Sequence, residues 1–158
     1  MTPARHPTAL AVQRELGGAF EVLEFPEGTR SAADAAAAVG VGVAQIVKSL
    51  VFRTVDERPV IAFVSGANQA DEKRLSELAG VALGKADAEF VRAATGFAIG
   101  GVSPARRVDG ALTFIDADLE TAGELWAAAG TPTAVFRLTF SDLRQMTGGQ
   151  VADIARRP

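Results

Sequence analysis

A glycine-rich loop and a single lysine are the residues best suited to chemistry in this chain. The loop, residues 95–104, contains three glycines and ends in Pro104. Glycine has no Cβ, so the backbone amides of such a loop can approach a ligand closely, and proline fixes its own φ. Lys48 is a lone cation at the edge of the apolar run at residues 45–52. We therefore predict that loop and lysine form one site, where backbone N–H groups meet a carbonyl or a phosphate.

Both features also have a purely structural interpretation. Lys48 could lie on the surface, with its stem on apolar neighbours and its amine in water. The loop could be an ordinary connection between a helix and a strand, because Gly100 and Pro104 alone make a weak pattern. It is neither a P-loop nor a dinucleotide-binding fingerprint, since no Lys-Ser/Thr pair follows and the glycine spacing is wrong. Residue types and spacing leave both interpretations open.

The composition removes most familiar catalytic chemistry. The chain has no cysteine and no tyrosine, and His6 is its only histidine. Disulfides, thiolate metal sites, cysteine nucleophiles and Ser-His-Asp catalysis are therefore excluded. Asp116 and Asp118 follow a predicted strand and could bind a divalent ion, but no further ligands accompany them. We expect no metal and no cofactor.

The net charge of −3 argues against a general polyanion binder. A few local cations suffice for the end of one RNA, and Arg106 and Arg107 beside the loop are candidates for weak RNA contacts. No apolar segment approaches the roughly 18 residues of a membrane span. The N-terminus also lacks the apolar region of a signal peptide. We expect a cytoplasmic protein that binds neither membrane nor DNA.

Turn residues and apolar periodicity predict a single α/β domain over residues 1–158, with residues 1–8 and 156–158 as loose tails. The predicted domain has a mixed sheet of six or seven strands and about five helices. Residues 123–129 fit a helix or one arm of a hairpin, and we choose the hairpin into residues 134–138. Helices are predicted at 9–16, 32–39, 71–79, 86–94 and 141–146. The other strands are predicted at 20–25, 48–54, 60–64, 81–83 and 111–115, with a turn at 26–28.

Three segments, residues 45–52, 96–104 and 129–132, together resemble the YbaK/EbsC family. Its members are similar to the editing (insertion) domain of bacterial prolyl-tRNA synthetase. The similarity extends from about Leu10 to Ala155, with the motifs in the expected order. It implies a mixed, barrel-like sheet flanked by helices. It also implies hydrolysis of the ester that links a wrong amino acid to the 3′ end of a tRNA, usually the tRNA for proline.

The resemblance also implies roles for individual residues. The family's functional lysine falls on Lys48, and its Gly-x-x-x-Pro loop falls on residues 100–104, with Gly101 lining the pocket. Many relatives continue after the proline with a small residue, glycine and histidine, whereas this chain has Ala-Arg-Arg at 105–107. Arginine cannot act as a general base near neutral pH. The residues expected to be catalytic are Lys48 and Gly101, and those expected to bind substrate are Ser49, Gly100, Val102, Ser103, Pro104 and Thr131.

The expected mechanism relies on positioning, because the usual catalytic side chains are missing. Backbone N–H groups of residues 100–103 would hold the ester carbonyl, and Lys48 would anchor a polar group of the terminal adenosine. The resemblance implies that a ribose hydroxyl of the tRNA and a bound water carry the proton transfers. The expected partners are the tRNA acceptor end and prolyl-tRNA synthetase, in a monomer or a dimer. The alternative is a non-catalytic relative that binds tRNA ends or a synthetase, or senses an amino acid.

Overall fold

The computed structural model describes residues 1–26 and 31–158, and it forms one α/β domain around a mixed sheet. The strands are β1 (Thr2–Pro3), β2 (Val22–Glu24), β3 (Ile46–Thr54), β4 (Pro59–Ser65), β5 (Leu83–Lys85), β6 (Leu112–Asp116), β7 (Leu125–Ala128), β8 (Ala134–Leu138) and β9 (Gln150–Ala152). The helices are α1 (Pro7–Leu16), α2 (Ala32–Val39), α3 (Glu72–Ala79), α4 (Ala88–Thr95) and α5 (Phe140–Thr147). Short 3₁₀ turns cover Val43–Gln45 and Ala117–Thr121. The predicted fold class is confirmed.

The sheet is built around the long β3–β4 hairpin. Its strand order is β1-β2-β8-β7-β3-β4-β6-β9, and β5 pairs with β3 at the side. Three strand pairs are parallel, namely β3–β7, β4–β6 and β6–β9, whereas the other pairs are antiparallel. The apolar run Val60–Val64 of β4 is buried at every position. This is the pattern expected of a strand covered on both faces, and it confirms the strand predicted at 60–64.

Side-chain caps set the helix boundaries. The side chains of Ser31, Asp71 and Asp87 accept a backbone N–H from the first turn of α2, α3 and α4. These helices end at glycines with left-handed φ, as predicted. The last helix starts earlier than predicted because Thr139, and not Ser141, is its N-cap. Thr139 and Asp142 form a reciprocal capping box at 2.9 and 3.0 Å.

The N-terminal tail is not loose, so that prediction was wrong. Thr2 and Pro3 pair with β2, and the His6 side chain caps α1. The Glu24 carboxylate accepts the N–H groups of Arg5 at 2.5 Å and His6 at 2.7 Å. Such pairing joins segments about twenty residues apart, so local sequence patterns do not reveal it.

The C-terminal tail is also attached. The Arg156 N–H donates to the Gln69 carbonyl at 2.7 Å, and Arg157 forms ion pairs with Asp118 and Asp153 at 3.0 and 2.9 Å.

Two short strands, β1 and β9, make the sheet larger than predicted. β1 and β9 were missed, because two or three residues are too few for an alternating pattern. β5 lies at 83–85, two residues after its predicted start at 81. The hairpin choice for residues 123–129 is confirmed, since β7 pairs antiparallel with β8. The turn predicted at 26–28 falls largely outside the described residues. None of the described helices is long and apolar enough to cross a membrane.

Candidate active site

The candidate site lies where β3 and β7 stop pairing. Their parallel ladder covers only Ile46↔Trp126 and Val47↔Ala127. A cleft of about 300 Å³ adjoins this point, and Ile99, Gly100 and Pro132 line it together with residues of both strands. This volume is at the lower end for ligand pockets, which favours a small ligand.

One wall of the cleft is apolar. Side chains alternate between the faces of a strand, so Ile46 and Lys48 share one face of β3. Trp126, paired with Ile46, lies on the same face. The apolar wall consists of Phe25, Ala32, Ala35, Ile46, Trp126 and Val135. It can accept a small aliphatic group beside the lysine.

Lys48 is half-buried and lines the cleft. Its ammonium donates a hydrogen bond to the backbone carbonyl of Asn68, in the loop after β4. Partial burial lowers the pKa of Lys48, and the negative charge of Asp116 opposes that decrease. The structure therefore places at the cleft a cation with a defined position, which differs from a lysine that extends freely into water.

Gly100 is the loop glycine that reaches the cleft. Its φ of +84° lies in the left-handed region that favours glycine, and an added Cβ would meet the Pro132 Cγ at 3.4 Å. Among the described residues, none accepts a hydrogen bond from its N–H. Gly100 can therefore donate a backbone hydrogen bond to a ligand.

The structure gives Gly101 a different role from the one expected. Its N–H already donates to the Ala98 carbonyl at 2.9 Å, so it is not a free donor. A Cβ on Gly101 would lie 2.6 Å from the Gly130 carbonyl oxygen and 2.8 Å from the Thr131 Cα. Gly101 thus permits the close approach of two backbone segments, residues 98–101 and 130–132, which form one rim of the cleft.

The remaining loop residues do not join Lys48. Val102 lines a second, smaller apolar cleft next to the first. Ser103 and Pro104 are buried, and the Ser103 hydroxyl accepts the Ala105 N–H at 3.2 Å. Thr131 contributes its backbone to the contact with Gly101, whereas its neighbour Pro132 lines the cleft. The expected set therefore divides into cleft residues and residues that support the loop.

Both arginines after Pro104 are engaged within the protein. Arg106 pairs with Glu15 at 2.7 Å and stacks on Phe97, with its guanidinium carbon 4.3 Å from the ring centroid. Arg107 donates to the carbonyls of Gln145 and Met146 at 2.9 and 3.3 Å, at the end of α5. Cations that bind the last carbonyls of a helix stabilise it. This geometry gives both side chains a structural role.

Two buried polar atoms of cleft residues have no partner in the described structure. They are the Ser49 hydroxyl and the Trp126 indole N–H. A buried donor without an acceptor costs free energy, so such atoms mark places where a ligand can bind. Ser49 was among the expected substrate-binding residues, whereas Trp126 was missed. The one available clue was that it is the only tryptophan in the chain.

Comparison with known proteins identifies the family. A family model of the aminoacyl-tRNA editing domain matches residues 26–146, which is more than half of the chain. The chain belongs to this editing-domain family. The crystal structure of a candidate trans-editing enzyme for prolyl-tRNA synthetase is 43% identical, with a TM-score of 0.88, and the match covers 98% of this chain and 100% of that chain. The predicted resemblance to the editing domain is therefore confirmed.

Two more distant matches also extend over most of the chain. The structure of the hypothetical protein APE2540 is 26% identical, with a TM-score of 0.80 over 94% of this chain and 99% of that chain. The uncharacterised protein YwhH of Bacillus subtilis is 25% identical over 131 residues, which is 83% of each chain. The structural match to APE2540 supports the fold, whereas the editing role rests on the family model and on the 43% identical structure.

Proposed function

We propose that this protein is a trans-editing hydrolase that deacylates mischarged tRNA. The substrate is tRNA for proline carrying a small wrong amino acid such as alanine, cysteine, serine or 2-aminobutyrate. The observation that carries the proposal is the cleft itself, which combines a fixed lysine, a free glycine N–H and an apolar wall. The family membership and the 43% identical candidate trans-editing enzyme support it.

The cleft suits a small aminoacyl ester. The side chain would pack on the apolar wall around Ala35 and Ile46, where one methylene changes binding by only about 1–3 kcal/mol. This limit is the reason why synthetases confuse small amino acids and need a second sieve. The cleft of about 300 Å³ has room for a small aminoacyl group against this wall.

The proposed chemistry uses the backbone and the substrate. Water adds to the ester carbonyl, and the Gly100 N–H donates to the oxygen that becomes negative. The carbon–oxygen bond to the ribose then breaks, and the ribose oxygen takes a proton. A neighbouring ribose hydroxyl and the bound water carry the proton transfers. Among the described residues that line the cleft, none is histidine, aspartate or glutamate.

Lys48 positions the nucleotide in this proposal. Its ammonium would hold a phosphate or another polar group of the terminal adenosine. Ser49 follows Lys48 on β3, so its unpartnered hydroxyl lies on the opposite face of the strand and would bind a different part of the substrate. The partners are the tRNA acceptor end and prolyl-tRNA synthetase, the compartment is the cytoplasm, and the reaction needs no cofactor.

A deacylation panel tests the proposal. The purified protein is incubated with tRNAs charged with alanine, cysteine, serine, 2-aminobutyrate or proline, and enzyme-free hydrolysis is subtracted. We expect rapid release of at least one small amino acid and protection of the correctly charged prolyl-tRNA. Hydrolysis of none would contradict a hydrolase and favour a non-catalytic tRNA-binding relative.

A further inference from the structure

Asp116 is a buried carboxylate close to the site. It ends β6 and is fully shielded from solvent. One of its oxygens accepts the N–H of Ser65 at 3.1 Å and the side-chain amide of Asn68 at 2.8 Å, and the other accepts the N–H of Asp118 at 3.0 Å. Burying a charge is costly, and an apolar residue of similar size often stabilises a fold as well or better. A role beyond stability would explain a carboxylate here.

Asn68 connects this carboxylate to the cleft. Its side-chain amide donates to Asp116 and also to Asp118, each at 2.8 Å, so both amide hydrogens are used. The Asn68 N–H donates to the Ser65 carbonyl at 2.9 Å, which closes a tight turn. The Asn68 carbonyl, fixed by these bonds, accepts the hydrogen bond from the Lys48 ammonium.

The turn itself is packed against the cleft strand. The Gly66 N–H donates to the Ile46 carbonyl at 2.7 Å, and the Ser65 hydroxyl donates to the Ala44 carbonyl at 2.8 Å. A Cβ on Gly66 would lie only 2.5 Å from the Val43 carbonyl oxygen. The acceptor for Lys48 therefore has little freedom to move, and the buried carboxylate is the centre of the network.

We propose that Asp116 and Asn68 are positioning residues for Lys48, with the carboxylate fixing the Asn68 amide and the Asn68 carbonyl holding the lysine at the cleft. This inference rests on the proposed function, because it assumes that Lys48 serves deacylation. Neither residue needs to touch the substrate. Their effect on the reaction passes through the lysine.

The charges around Lys48 make the inference testable. Asp116 is the charged group that acts on Lys48, while the paired strand β4 carries no titratable side chain and Asp118 is engaged by Arg157. The Asp116 charge raises the pKa of Lys48 against the effect of burial. Its removal should therefore lower the pKa of Lys48, so the lysine loses its proton at a lower pH.

The chain has three lysines, and the other two, Lys73 and Lys85, are exposed. The NMR spectrum of protein labelled with carbon-13 lysine thus contains three lysine side-chain resonances, and those of Lys73 and Lys85 are internal controls. In Asp116→Asn, we expect the Lys48 resonance to titrate at lower pH, and the alkaline limb of the deacylation profile to move in the same direction. The kcat/KM at neutral pH should fall about 10-fold or more, because misplaced groups lose rate steeply.

Two further variants separate positioning from folding. Asn68→Ala affects a half-buried side chain, and it should lower the kcat/KM and the pKa of Lys48 even if Asp116→Asn does not fold. Asp109→Asn removes an equal charge at an exposed residue outside the cleft lining and should change neither. Folded Asp116→Asn or Asn68→Ala protein with wild-type Lys48 titration and wild-type kcat/KM would overturn the inference. If the wild type deacylates nothing, the proposed function fails, and the Lys48 titration alone still decides the positioning role.

Discussion

Replacing Gly101 by alanine is expected to force apart the two segments that form one rim of the cleft. The new Cβ would lie 2.6 Å from the Gly130 carbonyl oxygen, and a Cβ essentially never lies closer than 3.0 Å to a heavy atom. The segments must therefore separate by at least 0.4 Å. Two further backbone atoms lie at 2.8 Å, so no rotation of a side chain can relieve the contact.

The size of the effect follows from this displacement. Overpacking of a well-packed region costs about 1–3 kcal/mol, which corresponds to a decrease in Tm of roughly 2–12 °C for a domain of this length. The rim carries Gly100 and Pro132, so the reacting ester would also be misplaced. A displacement on the order of 1 Å can reduce a rate about 100-fold, so we expect kcat/KM to fall roughly 10- to 100-fold.

The assay is single-turnover deacylation of the preferred mischarged tRNA, with Tm measured on the same preparations. Gly18→Ala is the matched control, because that glycine has no atom within 4 Å of the new Cβ and no left-handed φ. It should leave both quantities unchanged. Wild-type Tm and kcat/KM in Gly101→Ala would refute the assignment of Gly101 to this close contact.

Three further predictions concern single side chains. Trp126→Phe keeps the apolar wall but removes the unpartnered N–H, so we expect KM or amino-acid preference to change in the deacylation panel while Tm is maintained; an unchanged panel would show that the N–H makes no ligand contact. Arg107→Ala should lower Tm through loss of the bonds to the α5 carbonyls and leave the KM for tRNA unchanged, whereas a raised KM with normal Tm would point to an RNA contact. The backbone N–H groups of Arg5 and His6 lower the pKa of Glu24 below its ordinary value. The stabilisation of the fold by these two hydrogen bonds is fully present at pH values above the ordinary pKa of Glu24, and it is lost as the pH falls through that value toward the lower pKa of the folded protein. The Tm difference between wild type and Glu24→Gln should therefore shrink on acidification. A Tm difference that does not depend on pH would contradict this.

Local sequence patterns predicted the elements whose signals are complete within a few residues. The continuous apolar run at 60–64 and the glycines that end α2, α3 and α4 required no knowledge of distant contacts. The pairing of β1 with β2 did require it, because two residues carry no periodicity. The cap at Thr139 was visible as a Thr-x-x-Asp pattern, but the serine two residues later competed with it.

The candidate site was predictable only in part for the same reason. Lys48 and the glycine loop were found by residue type and family resemblance. Gly100 and Gly101 have different roles because different backbone segments lie beside them. The tertiary fold determines which segment lies beside each glycine. Asp116 was considered as a metal ligand, whereas the structure shows three N–H groups donating to its oxygens. Its link to Lys48 runs through Asn68, 48 residues earlier in the chain.

The central claim is that the cleft around Lys48 hydrolyses an aminoacyl ester. Its most direct test compares wild type, Lys48→Ala and Lys85→Ala in single-turnover deacylation of mischarged tRNA for proline. Lys85 is exposed on β5, so its replacement removes the same charge away from the cleft. We predict that Lys48→Ala releases the amino acid no faster than enzyme-free buffer, although it folds normally, and that Lys85→Ala retains the wild-type rate. Wild-type deacylation by folded Lys48→Ala would contradict the account.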